Sequence, residues 1–338
     1  MTAGKTGREN LRKIDYWRTG IVSFYSVLIL FFGFIVPGFG HTNEYPKKPI
    51  VWIVPYQPGG GYDAYSRAIA KILPKNLPQR VKVVVKNVVG AGGRRGSVAL
   101  YRSKPDGYTI GLLNLIGLLS SDLVKKSTQY DLDKYTYLAT CSRGIPGVFV
   151  AGASNFNSIE DLRKEKRIRF ATGGQGSGTW LWGMLVKGIL DIPVSMISGY
   201  LGISDYVTAI IRKDAEAIIV GFSSSVIPYC RAGELKPILF IAKEPLEWMP
   251  DVPTARGTSF EELVKLTNDR AIAAPPDLPV EIARILEDSI LRALNDPEFI
   301  EWSVRTGNPL TVIGSMGTRK SIQMSRDFMK KYEKFLKD

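Results

Sequence analysis

Val51-Trp52-Ile53-Val54-Pro55-Tyr56-Gln57-Pro58-Gly59-Gly60-Gly61-Tyr62-Asp63 is the stretch on which the reading of the fold turns. An apolar strand runs into three consecutive glycines, and a helical pattern from Ala64 to Leu73 follows, stopped by Pro74. Glycines bare the backbone, so several N–H groups can turn toward one bound group. The N-terminus of the next helix adds partial positive charge at the same place. Strand, glycine loop and helix start together make a seat for an anion. The arrangement recurs twice: Asn87-Val88-Val89-Gly90-Ala91-Gly92-Gly93 follows a second strand, and Thr172-Gly173-Gly174-Gln175-Gly176-Ser177-Gly178-Thr179 follows a third. One such loop is a tight turn. Three, each at the C-terminal end of a strand, point to a cleft that binds a small acidic ligand through backbone amides.

Working outward, short Val- and Ile-rich runs alternate with helical patterns from residue 50 onward. The strands are predicted over Ile50–Tyr56, Val81–Val88, Thr109–Asn114, Tyr135–Cys141 and Val148–Ala151, then Arg167–Thr172, Val194–Tyr200, Ala217–Phe222, Lys236–Ala242 and Arg270–Ala274. Ser158-Ile159-Glu160-Asp161 reads as a capping box opening a helix to Lys166. Further helices are predicted over Trp180–Leu190, Asp205–Lys213, Pro279–Leu294, Pro297–Thr306 and Gly317–Lys337. Strand–helix alternation implies an α/β protein with parallel sheets.

The chain has 338 residues, room for two domains, and a formal net charge of +13. There is no zinc-finger spacing, aromatic RNA-binding signature or long basic block, so nucleic acid is not the expected partner. Lys5, Arg8, Arg12, Lys13 and Arg18 precede the 16-residue apolar run Ile21–Val36 and a Pro37-Gly38-Phe39-Gly40 break. Residues 1–40 therefore read as a cleaved export signal, with a retained N-terminal anchor as the alternative. Removing them takes away five basic and two acidic side chains, which lowers the charge from +13 to +10. Cys141 and Cys230 are read as free buried thiols rather than a disulfide framework. The single histidine, His41, lies at the expected mature N-terminus, so a Ser-His-Asp triad or a His-based metal site has no base or ligand in the body of the chain. No cofactor and no metal site are expected.

The pattern Pro55-Tyr56-Gln57-Pro58-Gly59-Gly60-Gly61-Tyr62-Asp63, followed by Asn87-x-x-Gly90-Ala91-Gly92-Gly93, resembles the receptor component of tripartite tricarboxylate transporters, the Bug-type extracytoplasmic solute-binding proteins. Lys104-Pro105-Asp106-Gly107-Tyr108-Thr109, Pro250-Asp251-Val252-Pro253-Thr254, Ala273-Ala274-Pro275-Pro276-Asp277-Leu278-Pro279 and Asn295-Asp296-Pro297-Glu298-Phe299 fit in the same order. The resemblance implies a two-lobed, type II-like periplasmic binding protein, each lobe a mainly parallel sheet flanked by helices, with the ligand cleft between the lobes. It maps one lobe to residues 45–146 plus 269–338 and the other to 147–268. It implies a small carboxylate as ligand, a two-component membrane permease as partner, and a monomer. The ligand-binding set expected here is Tyr56, Gln57, Gly59, Gly60, Gly61, Tyr62 and Asp63 in the first loop. Asn87, Gly90, Ala91, Gly92, Gly93 and Asn114 follow, then Gly176, Ser177, Gly178, Thr179, Tyr200, Gly202, Phe222 and Ser223 in the facing lobe. Members of the family often hold a carboxylate through backbone amides and ordered waters rather than an arginine.

Competing readings are weaker on the residues. Gly59–Gly61 with Ala64 also fits a permissive dinucleotide fingerprint, but Lys86 and Asn87 stand where the ribose needs an acid. Asp63, an anion beside an anion seat, is expected first of all to cap the helix and fix the glycine loop, with a direct role toward amino or hydroxyl groups of the ligand as the alternative. Arg94 and Arg95 are expected to steer anions from a solvated helix start, with a bidentate carboxylate clamp as the alternative. Trp180 and Trp182 point to different helix faces, so at least one belongs to the core. A secreted enzyme would have Asp63 as its one nominated cleft carboxylate. A sensor that binds the same ligand differs only in its partner. Hinge motion is expected at Cys141–Gly147 and Asp269–Ala274.

Overall fold

The structure is a computed structural model and describes residues 45–124, 129–266 and 268–336. The expected leader over residues 1–40 and His41 lie outside them. No helix among the described residues is long and apolar enough to cross a membrane.

The N-terminal elements are β1 (Ile50–Val54), α1 (Gly61–Asn76), β2 (Val83–Asn87), α2 (Arg94–Tyr101), β3 (Thr109–Asn114) and α3 (Leu115–Val124). A long strand β4 (Thr136–Ala151) leads into α4 (Ile159–Arg163), β5 (Ile168–Thr172), α5 (Gly178–Ile189), β6 (Val194–Ser198) and α6 (Ile203–Ile211). Then come β7 (Ala217–Phe222), α7 (Ile227–Arg231), β8 (Leu235–Phe240) and β9 (Asn268–Ala274). The chain closes with α8 (Val280–Leu294), α9 (Pro297–Thr306), β10 (Ile313–Gly314) and α10 (Ser315–Lys331).

The strands run in the order β2-β1-β3-β9-β4-β7-β5-β6, with β8 and β10 also on β4. Two parallel cores, β2-β1-β3 and β6-β5-β7, sit at the two ends. Every antiparallel pair between named strands involves β4 or β9. The sheet is therefore mixed, and the antiparallel β4–β9 pair is the seam between two strand–helix halves. The inner strands β1, β3 and β7 are mostly buried and read as apolar runs, whereas β2 at one edge alternates half-buried and exposed positions. Trp52, Tyr65, Leu73, Leu286 and Phe299 fill the core of the first half. Tyr206, Ile210, Ile218, Val220 and Phe222 fill part of the second.

Three local readings change. The sequence predicts two strands, Tyr135–Cys141 and Val148–Ala151, on either side of Ser142–Gly147. The backbone instead stays extended throughout β4. Its first part pairs with β9 and its second with β7 and β8, with register shifts between Tyr137 and Ala139, between Thr140 and Ser142, and at Val148–Phe149. Pro74 does not stop α1; it lies in the last turn, and the helix ends at Asn76. The capping box holds, with Ser158 Oγ accepting from Asp161 N at 3.2 Å and Asp161 Oδ2 accepting from Ser158 N at 3.1 Å, but α4 is over by Arg163.

Candidate functional site

The glycine loops meet at one cavity of about 180 Å³. Four helices begin on its wall: the N-cap residues of α1, α2, α5 and α6 are Gly60, Gly93, Ser177 and Gly202, and all four line it. The first N–H groups of a helix have no acceptor inside the helix. At the starts of α1 and α6 no side chain caps them; at α5 Ser177 Oγ accepts from Trp180 N at 3.2 Å, and at α2 the amides of Arg94 and Arg95 are met by the carbonyls of Ala91 and Gly90 in the turn before it. Each start also carries the positive end of its helix dipole. Among the described residues no aspartate or glutamate lines the cavity, and Arg270 is its one formally charged side chain. Burial pushes the phenols of Tyr56, Tyr62 and Tyr206 up from their ordinary values, so these lining groups stay neutral. A positive potential without a protein counter-charge is the chemistry of an anion site.

Side chains behind the wall hold this geometry. Asp63 is not the helix N-cap predicted from the sequence. Gly60 takes that position, and Asp63 is the third residue of α1, because three glycines let the helix begin inside the loop. From there its carboxylate reaches back to accept from Gly59 N at 3.0 Å. It also accepts from Arg67 Nε at 2.8 Å and Asn87 Nδ2 at 2.9 Å. Burial acts to raise the Asp63 carboxyl, but Arg67, the Gly59 amide and Asn87 outweigh it and hold it below the ordinary range. Asn87 Nδ2 also donates to Tyr56 O at 2.9 Å, tying the first loop to the end of β2. The same device recurs in the other half, where Asp205 accepts from Leu201 N at 2.8 Å behind the N-cap Gly202. Both carboxylates brace their loops through backbone amides. Neither lines the cavity.

A second chain of bonds joins the loops. Asn114 Nδ2 donates to the Tyr56 hydroxyl at 2.7 Å, and that hydroxyl donates to Gly92 O at 3.0 Å. Gly92 has φ of 65°, and a Cβ there would stand 2.8 Å from Ser177 Cβ, so the second and third loops touch only because this residue is glycine. Ser121 Oγ donates to Gly176 O at 2.7 Å and supports the third loop from below.

Of the residues expected to bind ligand, Tyr56, Gln57, Gly59–Gly61 and Tyr62 line the cavity from the first loop. Gly90, Gly92, Gly93 and Asn114 line it from the second loop and β3, and Ser177–Thr179, Tyr200, Gly202 and Ser223 from the facing half. The structure does not bring Asp63, Asn87, Ala91, Gly176 or Phe222 to the wall. Asp63 and Asn87 are engaged with each other behind the loop, Gly176 presents its carbonyl to Ser121, and Phe222 packs on Phe240 in the core. Arg94 and Arg95 also lie off this wall; Arg95 borders a shallow groove with Lys86 and Asn87. Trp180 and Trp182 both belong to the core, and Trp182 also reaches the cavity, its buried indole N–H unpartnered by protein.

Sequence reasoning missed Asn268 and Arg270, at the head of β9. Arg270 is 4% exposed, its Nη1 donates to Ser142 Oγ at 3.3 Å, and its Nε has no protein partner. The guanidinium carbon lies 5.0 Å from the ring centres of both Tyr62 and Tyr65. The available signal was a charged residue opening the otherwise apolar run Ala271-Ile272-Ala273-Ala274.

Comparison with known proteins gives this geometry a family. Residues 65–337 match the family described as tripartite tricarboxylate transporter family receptor. Protein BugT of Bordetella pertussis is 27% identical over 271 residues, covering 77% of this chain and 80% of BugT. The fold is that of the periplasmic binding protein BugD, with a TM-score of 0.72 at 22% identity over 85% of this chain and 98% of the BugD chain. It is also that of a Rhodopseudomonas palustris protein solved with adipate, with a TM-score of 0.77 at 19% identity over 86% of this chain and 98% of that one. A match spanning most of the chain, on a fold whose loops converge on one anion-attracting cavity, places this protein in the tripartite tricarboxylate transporter receptor family of solute-binding proteins.

Proposed function

We propose that this protein captures a small carboxylate between its two lobes and presents it to a two-component permease of the tripartite tricarboxylate type. The observation that carries the reading is the convergence of four helix N-termini, those of α1 and α6 with no side-chain cap, on a cavity whose wall has no acidic side chain among the described residues. The structural neighbour solved with adipate supports the ligand class. A cavity of about 150 Å³ accepts benzene, so one of about 180 Å³ suits a solute of on the order of ten non-hydrogen atoms or fewer. The contacts we assign are the N–H groups and hydroxyls of the lining residues in the three loops, with Tyr200, Gly202 and Ser223 opposite.

We assign the lobes to residues 45–146 plus 269–338 and to 147–268, with β4 and β9 as the crossing strands. Closure by bending at these strands delivers the bound form to the permease. Export across the inner membrane by the N-terminal segment follows from the same role. Binding without turnover fits the site, because its wall offers no carboxylate or imidazole as general acid or base and Asp63 is committed to its braces.

The test is a melting scan of the purified protein against succinate, adipate, citrate and butanoate, with product analysis of every hit. A solute at about 100 times its dissociation constant stabilises the protein by about 2.7 kcal/mol. A raised melting temperature with the acid recovered unchanged is the expected result. Chemical conversion of the acid would show an enzyme, and no shift with any acid would remove the carboxylate reading.

A further inference from the structure

Arg270 is a cation enclosed by the protein without an anion. It is 4% exposed, and among the described residues no carboxylate forms an ion pair with it. Its neighbour Asp269 is fully buried but is engaged by Arg143, whose Nε and Nη2 donate to the carboxylate at 2.8 and 3.0 Å. Of the Arg270 nitrogens, Nη1 meets only the neutral Ser142 hydroxyl and Nε meets no protein acceptor. Nη2 lies toward the cavity mouth of α1, 3.4 Å from where a Cβ on Gly61 would stand, with Ser223 Oγ 3.3 Å from the same point. Tyr62 and Tyr65 offer it ring faces, which attract a cation but do not neutralise it. An unpaired buried charge is costly, so a fold that keeps one in its ligand cavity is complete only when a counter-charge arrives.

We infer that Arg270 supplies the counter-charge for the solute, donating from Nη2 to an anionic group that also accepts the free N–H groups of the first turn of α1. This rests on the carboxylate reading above and goes beyond it. The site selects for charge, and a guanidinium reads the anion in addition to the backbone amides. Neutral isosteres of the same shape are then poor ligands. In the empty protein Arg270 is a destabilising residue, because its desolvation is offset only by one hydroxyl and two rings.

The experiment compares the wild type with Arg270→Met, which keeps the length and removes the charge, and with Arg270→Lys, which keeps the charge and loses the fork. Calorimetric titrations use succinate, adipate and adipamide, the last a neutral isostere of adipate, and each ligand-free protein is also melted. The wild type is expected to prefer adipate over adipamide by about ten- to a hundredfold, the scale of a hydrogen bond to a charged group. Arg270→Met loses that preference by weakening adipate and leaving adipamide unchanged, and its ligand-free melting temperature does not fall. Arg270→Lys retains part of the preference. Three outcomes overturn the assignment: Arg270→Met binds adipate as the wild type does; it loses acid and amide equally; or it melts lower with the preference intact, which marks a structural arginine. If the wild type binds no acid at all, the carboxylate reading falls and takes this one with it, whereas wild-type binding with an indifferent Arg270→Met removes only the arginine.

Discussion

Asp63 shows how a residue type can be read correctly and its position wrongly. An aspartate after a glycine triplet belongs to the start of a helix, and it is there, but the helix begins two residues before it. Its three hydrogen bonds tie the buried carboxylate to the Gly59 amide, Arg67 and Asn87 behind the loop. Asp63→Ala is expected to cost about 1–3 kcal/mol at neutral pH, the scale of hydrogen bonds to a charged group. The pH dependence has a definite sign. The folded carboxyl is held below the ordinary value of 3.8, so its stabilisation is complete above that value and is lost as the pH falls through the lowered folded one. Urea unfolding of both proteins at pH 7 and at pH 3 should show the gap shrinking in acid. An equal midpoint at pH 7 would remove the bracing role.

At the scale of elements, the site depends on loops that approach closely rather than on the loops singly. Gly92 is the point of contact between the second and third loops, where a methyl group has no room beside Ser177. Gly92→Ala must also hold a side chain at φ of 65°, which costs roughly 1 kcal/mol. Adjacent Ala91 already adopts φ of 51°, so the loop tolerates the conformation and the chain should fold. The expected result is an unchanged far-ultraviolet spectrum with carboxylate affinity weakened about tenfold or more, since about 1.4 kcal/mol of lost loop contact is a factor of ten. Wild-type affinity in this variant would mean that the two loops need not meet for binding.

For the whole molecule, the decisive pair is Arg143 with Asp269, which joins the two strands that cross between the halves. Asp269 is fully buried, so Arg143→Met leaves a carboxylate enclosed without its partner. Removing one member of a buried pair costs about 3–5 kcal/mol, and the partly exposed guanidinium places this case at the low end. Thermal melting of the variant checks this; a loss below about 1 kcal/mol would mean that water reaches Asp269 and that the pair is a surface one. Both thiols are free: Cys141 is buried in β4, whereas Cys230, expected to be buried as well, lies half-buried in α7. Burial pushes the Cys141 thiol up to about 12 and the Cys230 thiol up to about 11, so both are poor thiolates in the folded protein.

The sequence by itself determined the class of fold and the anion-seeking loops. Strand periodicity and glycine placement are local properties, set by side-chain alternation and by which backbone angles are open. For that reason β1, β3, β5 and β7 lie where the sequence puts them, and sixteen of the residues expected to bind ligand line one cavity. Only the tertiary structure decided the rest. Whether Ser142–Gly147 breaks or stays extended depends on partners from β9, β7 and β8, which are far away in the chain. Whether Asp63 faces the ligand or the loop depends on where Arg67 and Asn87 end up. Arg270 could not be read as part of the cavity because it is about two hundred residues from the first loop, and a charge acquires its meaning from the distances folding sets.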